Sequence, residues 1–313
     1  MKNVSELTDF YYKSLYPALQ KLEADRKGLR KKIVIVAAIY TFLVALITYN
    51  INTAYDFIFV AYIALGTIIY KFMIHDYTHE FKMNVIKPLI KAIDSSLLYS
   101  SKTHVSDYIF NRSDLFSTPD RINGNDYVKG NIDGINIQFS DIHAEKRTKS
   151  SKGRSSWHTL FQGLFIVAEF HKNFEGQTVV LPDSAQNTFG NLIGNWLQSK
   201  NMARDELVKM DDPEFEKEFV VYSTNQVEAR YILSHSLMKK LLIFKKKSNH
   251  PLHVSFIGDH IHMALEYDKD LFEPSVFKSL LDYKVAMEYV QTLHLAIGIV
   301  QELKLNQKLW SKK

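Results

Sequence analysis

Two stretches of this chain are apolar without interruption, and the rest mixes apolar and polar positions with helical or strand periods. From Ile33 to Tyr55 no residue carries a charge, and Ile33 to Tyr49 is almost wholly apolar. At a rise of about 1.5 Å per residue, some 20 helical residues cross the roughly 30 Å hydrocarbon layer of a bilayer, so this run predicts a membrane span. The second run, Phe57 to Tyr70, is short. It spans when Lys71 snorkels to the headgroups and Phe72, Met73 and Ile74 stay at the interface. A polar turn around Asn50, Asn52 and Asp56 separates the two runs. A cleaved signal peptide is not expected, because the polar start is too long and no small-residue cleavage site follows.

Helical periodicity flanks the runs. Leu7, Tyr11, Leu15, Leu19 and Leu22 recur every three or four residues, with Pro17 among them as an expected kink. After the second run, Phe81, Val85, Ile86, Leu89, Ile90 and Ile93 form another stripe. A hairpin brings these two amphipathic helices side by side, as a stalk beneath the membrane.

Strand signals then dominate. Tyr127–Ile132 and Ile135–His143 flank Asp133-Gly134, a strong hairpin turn. Lys146–Ser156 reads as an exposed loop, and Leu164–Phe170 as a buried strand answered by Thr178–Leu181. Helices are expected over Ala185–Leu197, Asn225–Leu242 and about Ser275–Leu303, a strand over Phe219–Tyr222, and a second hairpin over Leu252–Tyr267 about Gly258-Asp259. Without a βαβ rhythm this predicts an α+β fold with a mainly antiparallel sheet closed by a long C-terminal helix. The expected divisions are a helix over 1–32, a transmembrane hairpin over 33–74, a stalk helix over 75–100 and the α+β domain over 101–313.

Charge adds an orientation. The net +5 is uneven: residues 1–100 hold 12 Lys/Arg against 8 Asp/Glu, and the remainder 27 against 26. Arg26, Lys27, Arg30, Lys31 and Lys32 precede the first run, Lys71, Lys82, Lys87 and Lys91 follow the second, and the turn between has neither Lys nor Arg. The positive-inside rule places both termini in the cytoplasm. A nucleic-acid partner is not expected, since the folded domain is nearly neutral. With no cysteine among 313 residues, disulfides, thiolate metal sites and Cys nucleophiles are excluded. A mean hydropathy of -0.16 excludes a polytopic transporter.

Three clusters carry candidate chemistry. On the second hairpin, His253, Ser255, His260, His262 and Glu266 share one face by the period of two. His260 and His262, with His253 nearby, are candidate metal ligands, the alternative being a solvated polar face. His75 and His79 lie four apart beside Asp76 and Glu80, the spacing of helical zinc ligands, or else form a polar turn at the interface. Asp141, His143 and Glu145 alternate on one strand face, a candidate acid–base set at a cleft rim or a strand running out of the core. The basic runs Arg147, Lys149, Lys152, Arg154 and Lys245–Lys247 are candidate contacts for anionic headgroups, or solvated surface. No P-loop, nucleophile elbow, dinucleotide fingerprint or kinase signature occurs, and the pattern assigns no cofactor.

One family resemblance emerges. Phe161-Gln-Gly-Leu-Phe-Ile-Val-Ala-Glu-Phe170 leads to His-Lys-Asn-Phe-Glu-Gly176 and Thr178-Val-Val-Leu-Pro-Asp183; Asp212-Pro-Glu-Phe-Glu-Lys-Glu-Phe219 and Glu228-Ala-Arg-Tyr-Ile-Leu233 follow. With Tyr16-Pro17 and Leu22-Glu23 ahead of the apolar runs, the chain resembles, over nearly its whole length, a bacterial family called domain of unknown function 3137. The resemblance implies a bacterial inner-membrane protein of this layout and no particular activity. The expected function is a membrane-anchored cytosolic interaction or regulatory module with a protein partner or as a homo-oligomer. Alternatives are a membrane-bound hydrolase or metalloenzyme using the His-rich hairpin, and an oligomeric channel or transport accessory.

Overall fold

The computed structural model describes residues 4–50, 55–149, 153–169, 173–183 and 207–310; the helix expected over 185–197 lies outside them. The chain divides into two compact units, residues 1–93 with 272–291, and residues 94–271 with 292–313.

The first unit is helical. α1 spans Val4–Lys13 and α2 Tyr16–Asn50, while α3, Tyr55–Phe81, passes through one π-helical turn, Lys82–Ile86, into α4, Lys87–Ile93. Pro17 does not kink a continuous helix; it occupies the first turn of α2, where its missing N–H is no loss. α2 then runs unbroken from the amphipathic stretch through the first apolar run, a length of about 50 Å for its 35 residues. The two stripes meet in one small core. Leu7, Tyr11, Leu19, Phe81, Val85, Ile86, Leu89 and Ile90 are all fully buried.

Segment 272–291 completes this core. The expected helix over Ser275–Leu303 begins later, at Tyr283, and runs to Trp310 as α9. Ahead of it, backbone groups of Val276 and Leu280 go to side chains: Arg26 Nη1 donates to the Val276 carbonyl at 2.7 Å, Tyr11 Oη to the Leu280 carbonyl at 3.0 Å, and the Leu280 N–H donates to Glu23 at 3.2 Å. Lys82, buried in the π turn, pairs with Glu273 at 3.1 Å.

The second unit is built on a large antiparallel sheet, nine strands among the described residues. They are β1 Leu98–Ser100, β2 Arg121–Ile132, β3 Ile135–Lys149, β4 Ser155–Glu169, β5 Thr178–Pro182, β6 Leu207–Val208, β7 Phe219–Ser223, β8 Leu252–Ile257 and β9 His260–Glu266. Their order is β1-β2-β3-β4-β9-β8-β5-β7-β6. β4 and β5 are consecutive in sequence yet not neighbours, because the β8–β9 hairpin inserts between them. The loop expected over 146–156 is shorter, since β3 and β4 pair out to Lys149↔Ser155. Asp133 and Gly134 both take positive φ, 53° and 88°, as a two-residue turn between twisted strands requires. Gly163 marks a close approach: a Cβ there would stand 2.0 Å from the Leu265 carbonyl oxygen on β9.

Short helices decorate the sheet: α5 Asp107–Arg112, α6 Pro213–Glu216, α7 Gln226–Ile232 and α8 His235–Ser248. The expected helix over Asn225–Leu242 is thus two. Ser234 breaks it by capping α8, its hydroxyl accepting from the Leu237 N–H. One core lies where α5 and the loop after it meet the sheet, with Phe110, Leu115, Ile142, Phe161, Phe165 and Val179 buried together. On the opposite sheet face Ile137, Phe139, Leu164, Ile166, Val254, Phe256, Ile261 and Met263 are buried as well.

Candidate functional site

The β8–β9 hairpin has the expected register, Ile257↔His260, Ser255↔His262 and His253↔Ala264 about Gly258-Asp259. Its polar face is not solvated. His253, Ser255 and His262 are 6, 0 and 2 % exposed, because the α5 side of the sheet covers them. The Ser255 hydroxyl donates to the Ser113 carbonyl at 2.6 Å, and the Phe116 ring lies 5.1 Å from that of His253. Sequence alternation distinguished the two faces but not their covering, since both faces here are buried.

Each imidazole has its own partner. His253 Nε2 meets Glu266 at 2.7 Å, while its buried Nδ1 has no hydrogen-bond partner among the described residues. His260 Nδ1 meets Asp259 at 2.5 Å. His262 Nδ1 lies 3.4 Å from Ser255 Oγ, and its ring stacks 6.1 Å from that of His260. Burial first, then the charges of His260 and Arg112, hold the His262 pKa down to about 3, so it is a neutral imidazole at physiological pH. Among the described residues no group of three or more His, Asp and Glu converges in a way that could hold a metal ion.

The other sequence candidates are similarly dispersed. Asp141 accepts from the Leu271 N–H at 2.9 Å, His143 Nε2 meets Thr159 Oγ1 at 3.1 Å, and Glu145 takes the Arg121 guanidinium, Nε at 2.8 Å. That guanidinium also sits 4.3 Å over the Trp157 ring. The alternation on β3 is real, but each side chain is spent on a different neighbour. His75 and His79 are exposed on α3, His75 facing Asp76 at 3.0 Å. In the basic runs, Arg147 meets Ser155 at 3.0 Å, Lys245 pairs with Glu218 and Lys246 lies 3.8 Å from Glu214. Lys245–Lys247 end α8, where the helix dipole favours cations.

What sequence reading missed is a groove of about 370 Å³ over β2, β3 and β4, ending at His260. Lys129, Asn131, Asn136, Gln138 and Glu169 line it, with Tyr127 at one side. Antiparallel register puts Asn131 and Asn136 in one row and Lys129 and Gln138 in the next. The amides are oriented in a chain: Asn131 donates to Asn136 at 2.8 Å, Asn136 to Glu169 at 2.6 Å, and Tyr127 to Gln138 at 3.0 Å. Its sequence signal was the pair Asn131 and Asn136 on either side of the two-residue turn. A cation, amides, a carboxylate and an imidazole on a rigid sheet make a surface for binding a polar segment by hydrogen bonds. Among the described residues the groove lining contains no Ser, Thr or Cys.

Residues 159–305 match the family described as "Protein of unknown function (DUF3137)". The match begins within β4 and ends within α9, a narrower extent than the resemblance over nearly the whole chain. No curated protein matches the chain in sequence. Among solved structures, the mycobacterial trehalose monomycolate transport factor A, TtfA, is similar at 12% identity and a TM-score of 0.35, over 67% of this chain and 90% of that one.

Proposed function

We propose that the protein is a two-span membrane anchor carrying a cytosolic α+β interaction module, with both termini in the cytoplasm of a bacterial cell and the hairpin in its inner membrane. The observation that carries this reading is the surface of α2 and α3. Two helices are long and apolar enough to cross a bilayer, and in their most apolar windows only 6% and 0% of residues are buried within the protein. Val34, Ile35, Ile39, Phe42, Phe59, Val60 and Ile68 are each more than half exposed. Apolar surface of this extent costs about 25 cal/mol per Å² in water, and hydrocarbon removes that cost. A core helix of a soluble protein would bury one face, whereas these apolar windows bury almost nothing.

The interaction reading of the second unit is supported by its site chemistry. The oriented amides and Lys129 of the groove suit hydrogen-bonded recognition, while His253 and His262 are buried beside Glu266 and Ser255. Because the chain has no cysteine, topology is directly testable. Single variants Ser5→Cys, Asn52→Cys and Lys102→Cys are labelled in intact cells with a membrane-impermeant maleimide. Labelling at Asn52→Cys alone is the expected result; labelling at Ser5→Cys or Lys102→Cys would overturn the orientation. Crosslinking in cells and affinity capture of the full chain then tests the module. A stoichiometric protein partner or a homo-oligomer is expected, and an uncaptured monomer would count against it.

A further inference from the structure

The hairpin contains a cleft of about 240 Å³ between α2 and α3, lined by Ile33, Val36, Tyr40, Gly66, Ile69 and Met73. Its cause is local. The Tyr40 and Tyr62 rings stack at 5.0 Å with planes 4° apart, and Tyr40 Oη donates to the Tyr62 carbonyl at 3.0 Å. The Tyr40 ring packs against Gly66, where a Cβ would stand 3.4 Å from it, and the cleft opens beside this contact.

Antiparallel register locates the mouth. Tyr40 lies level with Tyr62, and Lys21 reaches Glu80 at 3.8 Å, so one alignment holds along both helices. Counting from it, Arg30 and Lys31 stand level with Lys71 and Phe72. Arg30 is one turn before Ile33 on the same face of α2, and Lys71 adjoins Tyr70, another lining residue. Of the cations below the mouth, Lys21 pairs with Glu80, Arg26 with Glu23 and Lys82 with Glu273, while Lys27 is exposed. Those at the mouth, Arg30, Lys31 and Lys71, are exposed and have no ion-pair partner among the described residues.

We propose that this cleft and its mouth bind one anionic phospholipid, an acyl chain lying between the helices and the phosphate on Arg30, Lys31 and Lys71. The inference rests on the bilayer-anchor reading. An apolar slot open to hydrocarbon takes the nearest chain. Unpaired cations one turn away select a headgroup with net negative charge over a zwitterionic one, whose own ammonium they repel.

The test reconstitutes the full chain in phosphatidylcholine vesicles containing a trace of spin-labelled phosphatidylglycerol or spin-labelled phosphatidylcholine. The motionally restricted fraction is read by electron spin resonance. At low salt the wild type should prefer phosphatidylglycerol by about fivefold or more. Arg30→Gln/Lys31→Gln/Lys71→Gln should bring the ratio close to one. Gly66→Leu, which fills the slot, should lower the restricted phosphatidylglycerol signal. Equal restriction of both lipids by the wild type, or an unchanged preference in the triple variant, overturns the proposal. So does a Gly66→Cys variant that crosslinks to a second copy, because the partner would then occupy the slot. Vesicle flotation separates the two readings. Protein that floats without lipid preference defeats only the lipid site, whereas protein that fails to float, or is stripped by carbonate, defeats the anchor and the site together.

Discussion

Glu23 and Arg26, one turn apart on α2, intercept a helical hydrogen bond in segment 276–280. In an α-helix the Leu280 N–H would bond the Val276 carbonyl, four residues back. Here Arg26 takes the carbonyl at 2.7 Å and Glu23 takes the N–H at 3.2 Å, while the two side chains grip one another through two contacts of 2.9 and 2.6 Å. Both are buried, at 6% and 5% exposure. The ion pair therefore replaces one turn of helix with a tether between α2 and the segment leading into α9, and it satisfies all the groups it displaces.

Removing one partner should be costly. Arg26→Met leaves the Glu23 carboxylate buried without its guanidinium, and a loss of about 3–5 kcal/mol is expected in urea unfolding of the detergent-solubilised protein. Glu23→Leu/Arg26→Met should lose less, because no unpaired charge remains, although the Val276 carbonyl and the Leu280 N–H then lose their partners. Amide exchange at Leu280 should quicken in both variants.

The same pair sets an acid limit. The Arg26 hydrogen bond lowers the Glu23 pKa, with the Leu280 N–H adding to the effect and burial opposing it. A carboxyl depressed in the folded state adds stability above its unfolded pKa, and that stability is lost as pH falls through the folded value. Glu23→Gln should flatten the acid side of the stability–pH curve, measured as unfolding midpoint against pH.

His262 acts over a different window. Its folded pKa of about 3 lies below the ordinary 6.5, so the unfolded chain binds the extra proton between those values. Stability should fall as pH drops from 6.5 toward 3. His262→Phe should remove this component while leaving the neutral-pH unfolding midpoint nearly unchanged, since the site is apolar on the Phe165 side.

Two glycines should respond in opposite ways to alanine. Gly163→Ala would drive a Cβ into the Leu265 carbonyl at a φ of 148°, with a loss of more than about 1 kcal/mol. Gly28, inside α2 with nothing within 4 Å of its would-be Cβ, should gain about 0.5–1 kcal/mol. Thermal unfolding of the two variants gives the sign of each.

The histidines of the β8–β9 hairpin should not hold zinc. His253, His260 and His262 each meet a different partner, so purified protein should carry less than one equivalent by elemental analysis. One equivalent that disappears in His253→Ala and His262→Ala would reverse this assignment.

Much of the fold was legible because it is local. The apolar runs, the stripe from Leu7 to Leu22 and the two-residue turns at Asp133-Gly134 and Gly258-Asp259 are written in neighbouring residues, and hairpin register follows from the turn. The candidate site was less legible. Alternation put His253, His262 and Ser255 on one face, yet their burial depends on Ser113 and Phe116, more than a hundred residues away in sequence. The groove joins side chains from β2, β3, β4 and β9, and no window of sequence contains it.

By itself, then, the sequence determined the apolar helices, the antiparallel hairpins and the absence of thiol chemistry, because periodicity and composition act over a few residues. Only the tertiary structure decided that β8 and β9 part β4 from β5, that the polar hairpin face is buried, and that Val276 and Leu280 bond to side chains. Those outcomes depend on contacts between distant segments, whose free energies compete with local preference and are encoded in no single stretch of chain.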